Sequence, residues 1–196
     1  ESLGEVAAQR DIHNALATRH TDAGDFPAAR GRYEQAAELS RSLGERHEEG
    51  RALGNLGLTT HRLGDHAAAA GYYEKVLEIM RDLGDRRREG LALSSLGQAV
   101  ADGGDPKRAI DYFEQHLAIA TEMKDFAGEA YALAGIGRAH MALGDRATAL
   151  KVFEQQLTLA QRARDLPMEG AALNSLSDVY LAMGLHERVL EVNTRL

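Results

Sequence analysis

Three consecutive arginines, eight histidines and two evenly spaced columns of glutamate are the residues of this chain best suited to chemistry. Arg86, Arg87 and Arg88 could hold a phosphate, or the carboxylates of a partner, through forked hydrogen bonds. Equivalent stretches read "RHE" at 46–48, "FAG" at 126–128 and "LPM" at 166–168, so the run occupies a turn and the first residues of a helix. A charge run in that place reads as a solvated connection before it reads as a site. Glu49, Glu89, Glu129 and Glu169 fall in the first helical turn, where the helix dipole favours negative charge. Glu34, Glu74, Glu114 and Glu154 stand beside aromatic residues, and the sequence names no partner for them. Catalysis by paired carboxylates needs two that converge in a cleft, which a repeated column does not suggest. No histidine belongs to an HExxH pattern or to an i, i+4 pair suited to zinc. His20 and His140 share a column at the margin of the core and read as structural. A P-loop, a GxSxG elbow and cysteine are all missing from the sequence. The expectation is a chain without catalytic residues, metal or cofactor.

The composition narrows the partners. With 196 residues the chain can form one sizeable domain or a short repeat array. The net charge of −7, spread along the sequence, argues against a nucleic-acid footprint, which needs a concentrated basic face. No apolar run approaches membrane-spanning length, so no membrane partner is expected and the location reads as cytoplasmic. Only three prolines and 5% aromatic residues favour helices packed through Ala and Leu. Arginine far outnumbers lysine and alanine is abundant, which hints at a GC-rich bacterial genome.

Self-similarity organises the whole sequence. An acidic residue recurs every twenty positions, at Glu5, Asp25, Glu45, Asp65, Asp85, Asp105, Asp125, Asp145 and Asp165. Glycine precedes most of them, with Lys124 and Arg164 as exceptions. Glycine ends a helix in the left-handed conformation, and Asp favours the start of the next. About seventeen residues remain between corners, a helix of roughly 25 Å. Two kinds of twenty-residue unit alternate, so the true period is forty. The first kind carries Leu53, Leu93, Leu133 and Leu173, then Leu56, Leu96, Ile136 and Leu176, then Gly57, Gly97, Gly137 and Ser177. The second carries Ala29, Ala69, Ala109 and Ala149, then Tyr33, Tyr73, Phe113 and Phe153. Each helix thus has one buried stripe, and its small residues let neighbours approach closely.

These columns resemble the tetratricopeptide repeat, whose pattern is large-x2-Leu-Gly-x2-Tyr followed by Ala-x3-aromatic. Three copies match: Leu53, Leu56, Gly57, Ala69 and Tyr73; Leu93, Leu96, Gly97, Ala109 and Phe113; Leu133, Ile136, Gly137, Ala149 and Phe153. Leu replaces the usual Trp, the Tyr column is irregular, the closing Pro is missing, and the period exceeds the usual length. The longer period is similar to that of animal Pins-like Leu-Gly-Asn-repeat adaptors. It is also similar to arrays in bacterial signalling ATPases and antibiotic-pathway transcription activators. The resemblance implies an all-α, right-handed α-solenoid of antiparallel helix pairs with about 4.5 repeats, and a concave groove that holds peptides. In the Pins-like group an Asn after the small residue grips the peptide backbone; this chain has Leu58, Gln98, Arg138 and Asp178 there. HEAT and armadillo arrays share a period near forty but lack the Ala-x3-aromatic column.

The expected organisation is a single array with repeats at about 6–45, 46–85, 86–125, 126–165 and an incomplete 166–196, cut from a longer protein. "SLGE" at 2–5 matches "SLGE" at 42–45 and is expected to be the tail of a preceding helix. Asn193 falls in the aromatic column of a shortened last helix. Helical spacing places Asp11, Asn14 and Thr18 off the buried stripe, on the inner face of the first-type helices. The same positions give Arg51, Leu58, His61 and Arg62, then Leu91, Ser94 and Gln98, then Tyr131, Arg138 and Met141, and finally Asn174 and Asp178. Apolar Leu58, Tyr131 and Met141 among Arg, Asn and Gln describe either a mixed binding surface or ordinary surface variation. A groove across four pairs would be roughly 40 Å long and accept about twelve extended residues. The expected function is a scaffold that binds a protein or peptide as the sensor part of a larger bacterial regulator of signalling or transcription. Two alternatives stay open. An apolar end face at Val189, Leu190 and Val192 would drive homo-oligomerisation, or Tyr131, Arg138 and Met141 would enclose a small molecule.

Overall fold

A computed structural model describes residues 2–194. Among the described residues there are ten helices and no strand: α1 (Leu3–Asp22), α2 (Phe26–Ser42), α3 (Arg46–Arg62), α4 (His66–Asp82), α5 (Arg86–Asp102), α6 (Pro106–Met123), α7 (Phe126–Ala142), α8 (Arg146–Ala163), α9 (Leu166–Ala182) and α10 (His186–Asn193). Helices α1–α5 form one compact unit and α6–α10 another, divided at Gly103–Gly104. Within each unit every helix packs on its successor. Next-but-one helices α3 and α5, and α7 and α9, also touch. The architecture is all-α, built from helix pairs.

The corners follow one chemistry. The corner glycines Gly24, Gly44, Gly64, Gly84, Gly104, Gly144 and Gly184 have φ between 67° and 89°, which side chains resist and glycine accepts. Lys124 and Arg164 replace glycine yet hold φ of 56° and 55°, and each closes an eighteen-residue helix. After the corner, a carboxylate oxygen of Asp25, Asp65, Asp85, Asp105, Asp125, Asp145 or Asp165 accepts the N–H three residues on, at 3.0–3.2 Å. Each such cap stabilises by about 1 kcal/mol. Glu45 makes no cap of this kind and ion-pairs with Arg10 of α1 instead.

One corner expected from the sequence does not form. The "SLGE" at 42–45 ends α2, but the same letters at 2–5 begin α1. There the Ser2 hydroxyl accepts the Glu5 N–H at 3.3 Å while the Glu5 carboxylate accepts the Ser2 N–H at 2.8 Å. This reciprocal capping box satisfies two first-turn donors, so Gly4 stays helical.

Packing uses the columns read from the sequence. Tyr33, Tyr73, Phe113 and Phe153 are buried, as are Leu53, Leu56, Leu93, Leu96, Leu173 and Leu176. Gly57 lies so close to the Tyr73 ring that a Cβ would stand 2.7 Å from it. Gly135 meets the Phe113 ring at the same 2.7 Å. The glutamate column is more than a response to the helix dipole. Buried Glu49 accepts from Arg41 of α2 at 2.8 Å and from Arg46 of its own helix at 2.9 Å. Glu89 repeats this with Arg81 of α4 at 2.9 Å and Arg86 at 2.7 Å. Each clamp ties a helix start to the preceding helix end. The column Glu34, Glu74, Glu114 and Glu154 is exposed; Arg30 approaches Glu34 at 3.9 Å.

Three outcomes are expected in denaturant unfolding. Gly57→Ala destabilises by about 1–3 kcal/mol through overpacking, whereas Gly31→Ala, which meets nothing within 4 Å, stabilises by up to about 1 kcal/mol. Lys124→Gly and Arg164→Gly each stabilise by about 1 kcal/mol through relief of the left-handed backbone. For Glu89, burial raises the carboxyl pKa, but hydrogen bonds from Arg81 and Arg86 outweigh it and hold the group below its ordinary 4.5. That contribution is present above the ordinary value and disappears as pH falls through the depressed one. Glu89→Gln therefore costs about 1 kcal/mol near neutrality, and the gap closes as pH falls through the depressed Glu89 pKa.

Candidate functional site

In the first unit, α3 and α5 run side by side over α4 and leave a cleft of about 280 Å³. Tyr73, Val76 and Met80 of α4 contribute to its apolar lining, with Leu58 and Leu91 on the two flanking helices. Gly54 and Ser95 also line it, and their small side chains keep the space open. Leu58 is 45% and Leu91 59% exposed, so neither is needed by the interior. Arg51 and Arg88 bring positive charge to the lining. Arg51 is engaged with Glu48 of its own helix, and Arg88 bonds Asp85 at 2.7 Å. The arginine run is thus largely part of the corner: Arg86 serves Glu89, Arg88 serves Asp85, and Arg87 is exposed.

The remaining residues expected at this face separate. His61 is half-buried, its Nε2 2.9 Å from Asp102 Oδ2, and Gln98 donates from Nε2 to Asp102 Oδ1 at 2.8 Å. Both point to the end of α5 rather than to the cleft lining. Arg62 is exposed outside that lining. Asn14 is half-buried, with its Nδ2 buried and without a hydrogen-bond partner, and its carbonyl accepts the Thr18 hydroxyl at 3.0 Å. His61, His66 and Asp102 bring three ligand-type atoms within 4.8 Å of one another. An i, i+4 spacing does not reveal this group, because His61 and His66 are five apart across a corner and Asp102 comes from another repeat.

In the second unit, Tyr131 of α7 is 43% exposed, its ring 6.5 Å from Phe113 and 6.3 Å from His116. Burial lowers the His116 pKa against the opposing charge of Asp125. Arg138, Asn174 and Asp178 are exposed. Met141 is half-buried and packs on the cluster of Ala149, Phe153, Leu176 and Val179, so the interior does use it, contrary to expectation. A cleft of about 620 Å³ lies elsewhere in this unit, between α6 and α8. Lys151, Gln155, Thr158 and Arg162 of α8 line it at three- and four-residue spacing, with Leu117 and Thr121 opposite. None of the expected site residues touches it, because they lie on first-type helices and its polar lining comes mainly from α8.

The expected apolar end face is also smaller. Leu190 is 68% exposed, but Val192 is buried and Val189 half-buried. Val192 lines a cleft of about 260 Å³ with Leu157, Leu173 and Leu176, which a shortened last helix still suffices to form. The side chain of Asn193 lies outside the described residues. His20 and His140 approach the capping Asp25 and Asp145 at 3.4 Å, so their column serves the corners. No helix among the described residues is long and apolar enough to cross a membrane.

Two sequence profiles, both described as tetratricopeptide repeat, match this chain. One covers residues 9–82 and 72–122, the other 132–167. No curated protein matches. Among solved structures, a putative kinesin light chain of Podosopora anserina with TPR-like repeats is 20% identical with a TM-score of 0.81, over 100% of this chain and 94% of that one. A Rap protein complexed with competence and sporulation factor is 16% identical with a TM-score of 0.75, over 98% and 56%. A signal-transduction ATPase with a tetratricopeptide-repeat sensor from Pyrococcus horikoshii is 17% identical with a TM-score of 0.80, over 96% and 31%. Glycine–aromatic columns, corners twenty residues apart and a profile match over more than half the length lead to one conclusion: this chain belongs to the tetratricopeptide-repeat family.

Proposed function

We propose that the chain is a protein-interaction scaffold that holds an extended peptide segment against the exposed faces of its first-type helices. The observation that carries this reading is the cleft between α3 and α5. Leu58 and Leu91 line it while remaining largely exposed, although the packing of the unit would be complete with polar residues there. An apolar floor with arginines in its lining suits a peptide that presents one apolar side chain flanked by carboxylates. The second unit taken by itself offers contacts of the same kind, an aromatic anchor in exposed Tyr131 and polar groups in Arg138, Asn174 and Asp178. His61 and Met141 contribute less, since one faces Asp102 and the other the core.

The named relatives support the reading by kind. One structure is a Rap protein complexed with competence and sporulation factor, and another carries its repeats as a sensor within a signalling ATPase. By analogy the chain serves as the sensing part of a larger regulator in signalling or transcription control, in the cytoplasm of a bacterium. Repeats built for presentation do this by rigid display of a preformed surface, without bond chemistry.

Selection of random dodecapeptides displayed on phage tests the proposal. Acidic peptides with a central apolar residue should be enriched. Leu58→Asp with Leu91→Asp should weaken their binding at least about tenfold, as should Arg51→Glu with Arg88→Glu, with helicity unchanged. Failure to enrich any peptide, or affinity indifferent to both double variants, would overturn it.

A further inference from the structure

We propose that His61, His66 and Asp102 form a binding site for a divalent transition-metal ion of the zinc type. The three residues come from the end of α3, the start of α4 and the end of α5, all within the first unit. Their ligand atoms lie within 4.8 Å of one another, and the His61 Nε2 to Asp102 Oδ2 separation is 2.9 Å. Metal–nitrogen and metal–oxygen bonds of about 2.0–2.2 Å set neighbouring donors about 3.0–3.5 Å apart. The cluster therefore needs side-chain rotations on the order of 1 Å, and none of its members is locked in the core.

The surroundings resemble a prepared site. The His61 and His66 rings meet edge to face with centroids 4.8 Å apart. His66 Nδ1 is buried and has no hydrogen-bond partner. Asp102 is held from behind by the Gln98 amide, which leaves Oδ2 directed at His61. Such outer contacts orient metal-binding carboxylates. The backbone is fixed on both sides: Gly64 turns the chain in the left-handed conformation, and Asp65 caps α4 through the Ala68 N–H. The end of α5 lies beside His66, whose Cβ is 3.6 Å from the place a Cβ on Gly103 would occupy.

Repeat packing does not call for these residues. The positions equivalent to His61, His66 and Asp102 are Thr21, Phe26 and Arg62 one repeat earlier. Two repeats later they are Met141, Arg146 and Ala182. Only one copy gathers three donors. Two imidazoles and one carboxylate suit zinc, cobalt, nickel or copper over calcium or magnesium, which prefer oxygen shells. Water completes the coordination of a three-ligand site. Binding requires that each ligating ring nitrogen carry no proton. The site is separate from the peptide cleft and does not depend on the reading given for it.

Calorimetric titration of the full chain with Zn²⁺, and visible spectroscopy with Co²⁺, test the proposal. One equivalent should bind, with a tetrahedral or five-coordinate Co²⁺ absorption band. His61→Ala, His66→Ala and Asp102→Ala should each weaken binding at least about tenfold and abolish the band, and Gln98→Ala should weaken it about tenfold. His47→Ala and His186→Ala, which alter exposed histidines elsewhere, should change nothing. Circular dichroism of each variant establishes that it folds. Binding that survives His66→Ala in a folded variant, or binding lost equally in His47→Ala, would overturn the site. So would the absence of any Zn²⁺ heat and Co²⁺ band in the parent chain.

Discussion

The backbone reversal every twenty residues is the constraint on which the rest of the structure depends. A residue in the left-handed conformation stops one helix, and an aspartate two atoms of side chain long starts the next. Because the corners recur without insertion, α2 to α9 have nearly the same length, 17 or 18 residues, and start in the same rotational phase. Equivalent side chains then meet equivalent neighbours in every copy, which turns columns of sequence into layers of packing. The chain maintains this geometry even where glycine is replaced, at Lys124 and Arg164.

Two contacts convert that phase into cohesion. A glycine of one helix receives the aromatic ring of its partner, as Gly57 receives Tyr73, at a separation that tolerates no methyl group. A buried glutamate draws an arginine from the helix before it and another from its own first turn. The first contact is apolar and short, the second ionic and directional, and together they join successive helices within a unit. The outward positions of α3, α5, α7 and α9 take part in neither, which frees them to carry recognition. Leu58, Leu91 and Tyr131 stand there although solvent favours something else.

Helix number, helix length, the buried columns and the capping role of aspartate were all legible in the sequence, because each repeats and the copies corroborate one another. The departures come from contacts that no period reveals. The partner of Glu49 is Arg41, set eight residues back across a corner, so only the folded turn brings them together. Glu45 abandons the cap for Arg10 of α1, thirty-five residues back along the chain. Met141 sat at an outward position by spacing, yet its long flexible side chain reaches the cluster around Phe153. Val192 looked exposed because the last helix is short, but its neighbours still close over it. The face of the candidate cleft was partly legible through Arg51 and Leu58. Its floor, from α4, and the cleft of the second unit were not, since they combine helices of both kinds.

The tetrapeptide shared by residues 2–5 and 42–45 has a wider meaning. It opens a helix in one place and shuts one in the other, so its letters encode both punctuation marks and the incoming backbone selects between them. A backbone that reaches the serine extended, as at Ser2, turns these letters into a helix start; one that reaches it already coiled, as at Ser42, turns them into a reversal. Identical letters are thus read in opposite senses according to the conformation that comes before them.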